Sequence, residues 1–118
     1  MGRPIAMIEV ISSNHERAQR FYSDLFDWTV DADPAMGGYA LVDTGSAPET
    51  VSGGIGPSMD ATDAGVRFYV RVDDLAATLD RAIQLGGARV LGPTELPEGY
   101  GSYALLADPD GNTVGLWA

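Results

Sequence analysis

The chain repeats itself. Displaced by 60 positions, Met7 falls on Arg67, Ile8 on Phe68, Val10 on Val70, Asn14 on Asp74, Leu25 on Leu85 and Val30 on Val90. Later the offset grows to 64, and Tyr39-Ala40-Leu41 falls on Tyr103-Ala104-Leu105. A duplication of this length carries one supersecondary unit per copy. A lone copy leaves one face of its sheet bare, so the two are expected to be used together.

Each copy reads as strand, helix and three strands. Residues 7–11 alternate as a strand does. Ser13 and Glu16 then have the spacing of a helix capping box. Ala18, Phe21, Tyr22, Leu25 and Phe26 recur at helical intervals. Extended chain follows at 28–30, is broken by Pro34 and Gly37-Gly38, and resumes at 39–42 and 51–55, with a loop at 45–50. The second copy begins with the strict alternation of 67–72, and Asp73-Asp74 supplies a cap. Leu75, Leu79, Ala82 and Ile83 form a helical stripe that Gly86-Gly87 ends. Val90-Leu91 is extended, and 93–102 is a Gly/Pro loop carrying Tyr100. The chain closes on a hairpin, whose turn Asp108-Pro109-Asp110-Gly111-Asn112 combines a fixed φ, residues tolerant of positive φ and a local side-chain cap. The expected fold is therefore α+β: two βαβββ modules in tandem, at about 5–56 and 65–118 with a linker at 57–64. Together they would form a curved mixed sheet with a concave cleft.

Alternation assigns the faces. Ile8, Val10, Phe68, Val70 and Val72 are expected beneath the helices. Met7, Glu9 and Ile11 share the opposite face in the first copy, and Arg67, Tyr69 and Arg71 share it in the second. Tyr103 and Trp117 reach the same face from the last two strands. Such a surface is more polar than packing alone requires, and its aromatic members suit a flat or apolar ligand. Glu9, with Arg67 or Arg71 nearby, is the candidate for acid–base chemistry.

Charge removes several function classes. Seven basic against 17 acidic residues leave a net charge of −10, which repels nucleic acid and anionic lipid. With no cysteine there is no disulfide, thiolate metal site or cysteine nucleophile. His15 is the sole histidine, at the start of a helix, so no histidine cluster exists. No apolar run approaches the roughly 18 residues of a membrane span, nor is there a leader-like N-terminus, so a cytoplasmic protein is expected. Asp43 and Asp108 adjoin turns and are expected to cap them. The acid spacing of a calcium loop is missing, and Gly53-Gly54-Ile55-Gly56 lacks the context of a dinucleotide site.

The pattern resembles the vicinal oxygen chelate superfamily, the glyoxalase/bleomycin-resistance/dioxygenase group. The carriers are Ile8-Glu9-Val10, Glu16-Arg17-Ala18, Phe21-Tyr22 and Leu25-Phe26-Asp27-Trp28 in the first copy. In the second they are the run from Phe68 to Leu75, Leu85-Gly86-Gly87, and the run from Asp108 to Trp117. The resemblance implies a divalent ion held by four side chains, usually His, Glu or Gln, two from each half. Met7, Arg67, the pair Gly53-Gly54 and Gly115 stand at the implied positions. A thioether is a poor donor to hard ions, a guanidinium repels them, and glycine has no donor. The expectation is thus no metal ligand and no cofactor, with a divalent metal the disfavoured alternative, since a two-residue change of register would supply only Glu9 on the first strand. Met7, Glu9, Arg67, Tyr69, Arg71, Tyr103, Gly115 and Trp117 would line a small-molecule site, with Glu9 the catalytic residue if there is one. A metal-independent binding protein of the bleomycin-resistance type is the expected function, with a lyase, isomerase or glyoxalase-like enzyme as the alternative. The resemblance also implies a homodimer, for which exposed sheet edges give a physical reason.

Overall fold

A computed structural model of the chain describes residues 2–45, 51–59 and 63–118. Residues 46–50 of the expected first loop and 60–62 of the expected linker lie outside the described residues. Two compact units are present. One is Met7–Arg67, and the other is Phe68–Ala118 with the leading residues up to Ala6.

The first unit contains β1 (Ile5–Ser12, entered from its N-terminal end), α1 (His15–Phe26), β2 (Thr29–Asp33), a 3₁₀ turn (Pro34–Met36), β3 (Tyr39–Asp43) and β4 (Ser52–Pro57). Its strands run in the order β2-β3-β4-β1, antiparallel except for the parallel pair β1 and β4. The second unit repeats the plan with β5 (Gly65–Arg71, whose first three residues belong to the first unit), α2 (Leu75–Gln84), β6 (Ala88–Glu95), a 3₁₀ turn (Pro97–Gly99), β7 (Ser102–Ala107) and β8 (Thr113–Trp117). The order is β5-β8-β7-β6, with β5 and β8 parallel. The chain is α+β and built of two βαβββ modules, as its repeat predicts.

Local chemistry explains the element ends. Asn14 Oδ1 accepts from the Arg17 amide, so Asn14, not Ser13, caps α1. Ser12 takes part by accepting from the Asn14 amide through its hydroxyl. Asp74, the repeat partner of Asn14, caps α2 through the Ala77 amide. The terminal turn is held by Asp108, whose carboxylate accepts from the Asp110 and Asn112 amides and from the Asn112 side chain. These bonds, led by those from Asn112, hold the Asp108 carboxyl below its ordinary range.

Two expectations need correction. The loop expected at 93–102 is shorter, because β6 continues through Pro93 to Glu95 and leaves 96–101, with its 3₁₀ turn, as the connection to β7. β6 is the outermost strand of its unit, where a missing amide donor breaks no ladder, and register shifts absorb the irregularity. The second concerns the core. Ile8 and Phe68, expected beneath the helices, are 40% and 39% exposed. α1 packs chiefly on β4 and β2, and α2 on β6 and β7, rather than on the strands that carry these two positions. The second unit instead builds its core from Val72, Leu75, Leu79, Ala104 and Leu116. In the first unit Ala40, Ile55 and Ile11 are buried, yet no residue of α1 is.

Candidate functional site

In the first unit the register sets Glu9 of β1 beside Gly54 of β4, and Gly54 beside Leu41 of β3. Met7 lies opposite Ser52, so the first-strand residue that faces Gly54 is Glu9. Tyr39, at the start of β3, lays its ring along β4. A Cβ placed on Gly54 would overlap the Tyr39 hydroxyl, and one on Gly56 would overlap the ring. Both positions require glycine because of this close approach. The Tyr39 hydroxyl donates to Glu9 Oε2 at 2.7 Å.

Arg67 completes the cluster. Its Nε is 3.6 Å from Glu9 Oε1, and its Nη2 donates to the Asp63 carbonyl at 3.1 Å and stands 3.6 Å from Asp63 Oδ2. Glu9 and Arg67 are only 5% and 7% exposed. A guanidinium taken from water in this way is tolerable because carboxylates flank it on two sides. Burial raises the Asp63 pKa. The Ser58 hydroxyl, the Met59 amide and the Arg67 charge outweigh that effect and hold the carboxyl below its ordinary value.

The second unit has a related arrangement made of different side chains. Tyr69 of β5 pairs in register with Gly115 of β8, which pairs with Leu105 of β7. A Cβ on Gly115 would overlap the Tyr69 ring. One step further along the same face, Arg71, Trp117 and Tyr103 form a row. The Arg71 guanidinium carbon lies 4.6 Å from the Trp117 ring centroid. The indole Nε1–H donates to the Tyr100 carbonyl at 2.8 Å. The loop bearing Tyr100 is itself tied down, by Leu96 N–H to Gly101 O and by reciprocal backbone bonds between Ser102 and Ala118.

The predicted residues thus fall into two groups. Glu9 and Arg67 meet in the first unit, and Tyr69 with Gly115 and Arg71 with Trp117 and Tyr103 meet in the second. Met7 is half-buried on β1, opposite Ser52, and belongs to neither cluster. Sequence reasoning missed Tyr39, Ser58 and Asp63. Tyr39 carries a usable signal as the repeat partner of Tyr103, whereas Ser58 and Asp63 lie in the polar stretch expected to be a linker. His15 packs against Gly38. An open concavity of about 330 Å³ lies beside α1 between Val10, Arg17, Phe21 and Tyr22, and no predicted site residue lines it.

The residues at the implied metal positions do not fit a divalent ion. Arg67 is a cation already paired with Glu9, and tyrosine rings fill the space where donors on residues 54 and 115 would stand. Among the described residues, no three His, Asp or Glu side chains gather as a metal site would require.

Residues 7–117 match the family model described as a glyoxalase-like domain. A glyoxylase-like domain-containing protein of Didymella fabae is 32% identical over 114 residues, covering 92% of this chain and 88% of the relative. A Mycobacterium bovis protein named "Putative glyoxylase CFP32" is 27% identical over 114 residues, and there the match covers 93% of this chain but 43% of the relative. Among solved structures, methylmalonyl-CoA epimerase from Mycobacterium tuberculosis superposes with a TM-score of 0.63 at 16% identity, over 96% of this chain and 85% of that one. A glyoxalase/bleomycin resistance protein/dioxygenase superfamily member from Vibrio splendidus gives 0.57 at 15% identity, over 98% and 97%. At such identities the structural likeness bears on fold alone.

Proposed function

Because the chain belongs to the glyoxalase-like domain family of the vicinal oxygen chelate superfamily, we propose that it is a metal-independent small-molecule binding protein. The observation that carries this reading is the filling of the implied donor positions. Tyr39 packs over Gly54, Tyr69 packs over Gly115, and Arg67 is paired within the protein. Ligand contact falls to the faces carrying Tyr39 and Leu41 in one unit and Tyr103, Arg71 and Trp117 in the other. Leu41, at 52% exposure, supplies apolar surface there. An enzymatic reading, such as the glyoxylase in its relatives' names or an epimerase, gains less support. The Glu9 carboxylate that would move the proton is already engaged by Tyr39 and Arg67.

The protein is proposed to act as a cytoplasmic homodimer. Among the described residues no helix is long and apolar enough to cross a membrane. The apolar stripe of α1 is exposed at Phe21, Leu25 and Phe26, which suits a second copy.

Metal analysis of purified protein, coupled to thermal-shift screening of a small-molecule library with and without chelator, tests the function. Substoichiometric metal and ligand-induced stabilisation that survives chelation are expected. Stoichiometric metal whose removal abolishes ligand binding or turnover would overturn the proposal.

A further inference from the structure

We propose that Arg71, seated on Trp117, is the anion-recognising element of the ligand site and selects small planar carboxylates. This inference rests on the binding-protein reading and names the ligand class for the second unit's face.

Arginine placement separates Arg71 from the other two arginines of the β1 and β5 region. Arg3 reaches Asp73 at 2.7 Å, and Arg67 is enclosed by Glu9 and Asp63. Arg71 is exposed and, among the described residues, no carboxylate lies within ion-pair distance of it. In a chain of net charge −10 a guanidinium has many acidic residues to turn to. This one instead stands over an indole. A cation–π contact consumes none of the five guanidinium N–H donors, so the fork that matches a carboxylate stays available.

The platform beneath it is fixed. Trp117 is bonded through Nε1–H to Tyr100 O, and its own carbonyl accepts from the Val72 amide at 3.0 Å. The Arg71 amide is bonded to the Pro4 carbonyl at 3.0 Å. With strand and ring both held, less motional freedom is lost when an anion docks. Tyr103 pairs with Trp117 across the ladder and so adds a second aromatic side chain to the face that carries the charge. A ligand satisfying both features carries a carboxylate attached to a planar, apolar body. A bare oxyanion satisfies only the first.

The test uses the full chain with Trp28→Phe, which leaves Trp117 as its only indole. Fluorescence and calorimetric titrations are run with benzoate, with its neutral isostere benzamide and with inorganic phosphate. Benzoate should bind saturably and at least about tenfold more tightly than benzamide or phosphate, in line with a charge-assisted hydrogen-bonded pair. Arg71→Ala should remove that advantage, and Arg71→Lys, which keeps charge but not the fork, should restore only part of it. Circular dichroism of each variant verifies the fold. The inference is overturned if benzamide or phosphate matches benzoate, if benzoate does not bind, or if Arg71→Ala leaves benzoate affinity unchanged. Should those results coincide with chelator-resistant binding of neutral library compounds, the binding-protein reading stands without this subsite. If the library also yields nothing, both fall.

Discussion

Glu9 and Arg67 illustrate how a buried charge depends on its company. Each is nearly inaccessible, and each is matched by the other and by a third group, Tyr39 for the acid and Asp63 for the base. Removing one member of a buried pair strands its partner at a cost of about 3–5 kcal/mol, whereas replacing both with apolar groups is often close to neutral. Glu9→Gln should therefore lower unfolding stability in urea by roughly 3 kcal/mol, the low end because Asp63 still faces Arg67. Adding Arg67→Met to that variant should recover much of the loss. Strictly additive losses would show that the two side chains are not coupled. Asp63 makes a separate contribution. Its carboxyl titrates below its unfolded value, so it stabilises the fold above the ordinary carboxylate range, and that contribution disappears as pH falls through the lowered value. The stability advantage of wild type over Asp63→Asn should accordingly be present at pH 7 and shrink as the solution is acidified below pH of about 4. Unfolding midpoints measured across that range check the sign, and an advantage that grows on acidification would contradict it.

Helix α1 is amphipathic, yet nothing in it is fully buried, and Phe21, Leu25 and Phe26 remain 58%, 59% and 51% exposed. Part of its aromatic surface is satisfied internally, since Tyr22 stacks with both Phe26 and Trp28 and Phe26 lies tilted against Trp28. The rest of the stripe is the surface assigned to a second copy. Leu25→Asp places a charge on it without touching a buried position. Light scattering should show a dimer for the wild type at micromolar concentration and a shift toward monomer for the variant, with the melting of α2 and its core unaltered. A wild-type monomer throughout would refute the dimer. The same helix shows how far local signals reach. Its periodicity and start were legible at 15–26, because spacing and capping act within a turn or two. The choice of Asn14 over Ser13 as cap was decided by which oxygen meets the Arg17 amide. β6 is the converse case. Pro93 looks like a strand breaker in isolation, and only its edge position makes it harmless.

For the whole molecule, the duplicated βαβββ plan, the terminal turn and the alternation of faces followed from the sequence, because period, turn chemistry and capping are short-range properties. Residue type at Met7, Arg67 and Gly115 was legible too, whereas the register that sets the Glu9 carboxylate opposite Gly54 was not. What tertiary structure decided is which distant residues become neighbours. Tyr39 is 30 positions from Glu9, and only the order β3-β4-β1 brings its hydroxyl to that carboxylate. The parallel pairing of β5 with β8 likewise puts Tyr69 on Gly115 and Arg71 on Trp117. With α1 packed on β4 and β2 and α2 on β6 and β7, Ile8 and Phe68 stay partly exposed, which strand alternation by itself cannot anticipate. Sequence periodicity determined which face each side chain takes, because alternation is a property of one strand. Burial, pairing and the filling of the glycine positions were decided by packing among strands, because those contacts exist only once the ladders have formed.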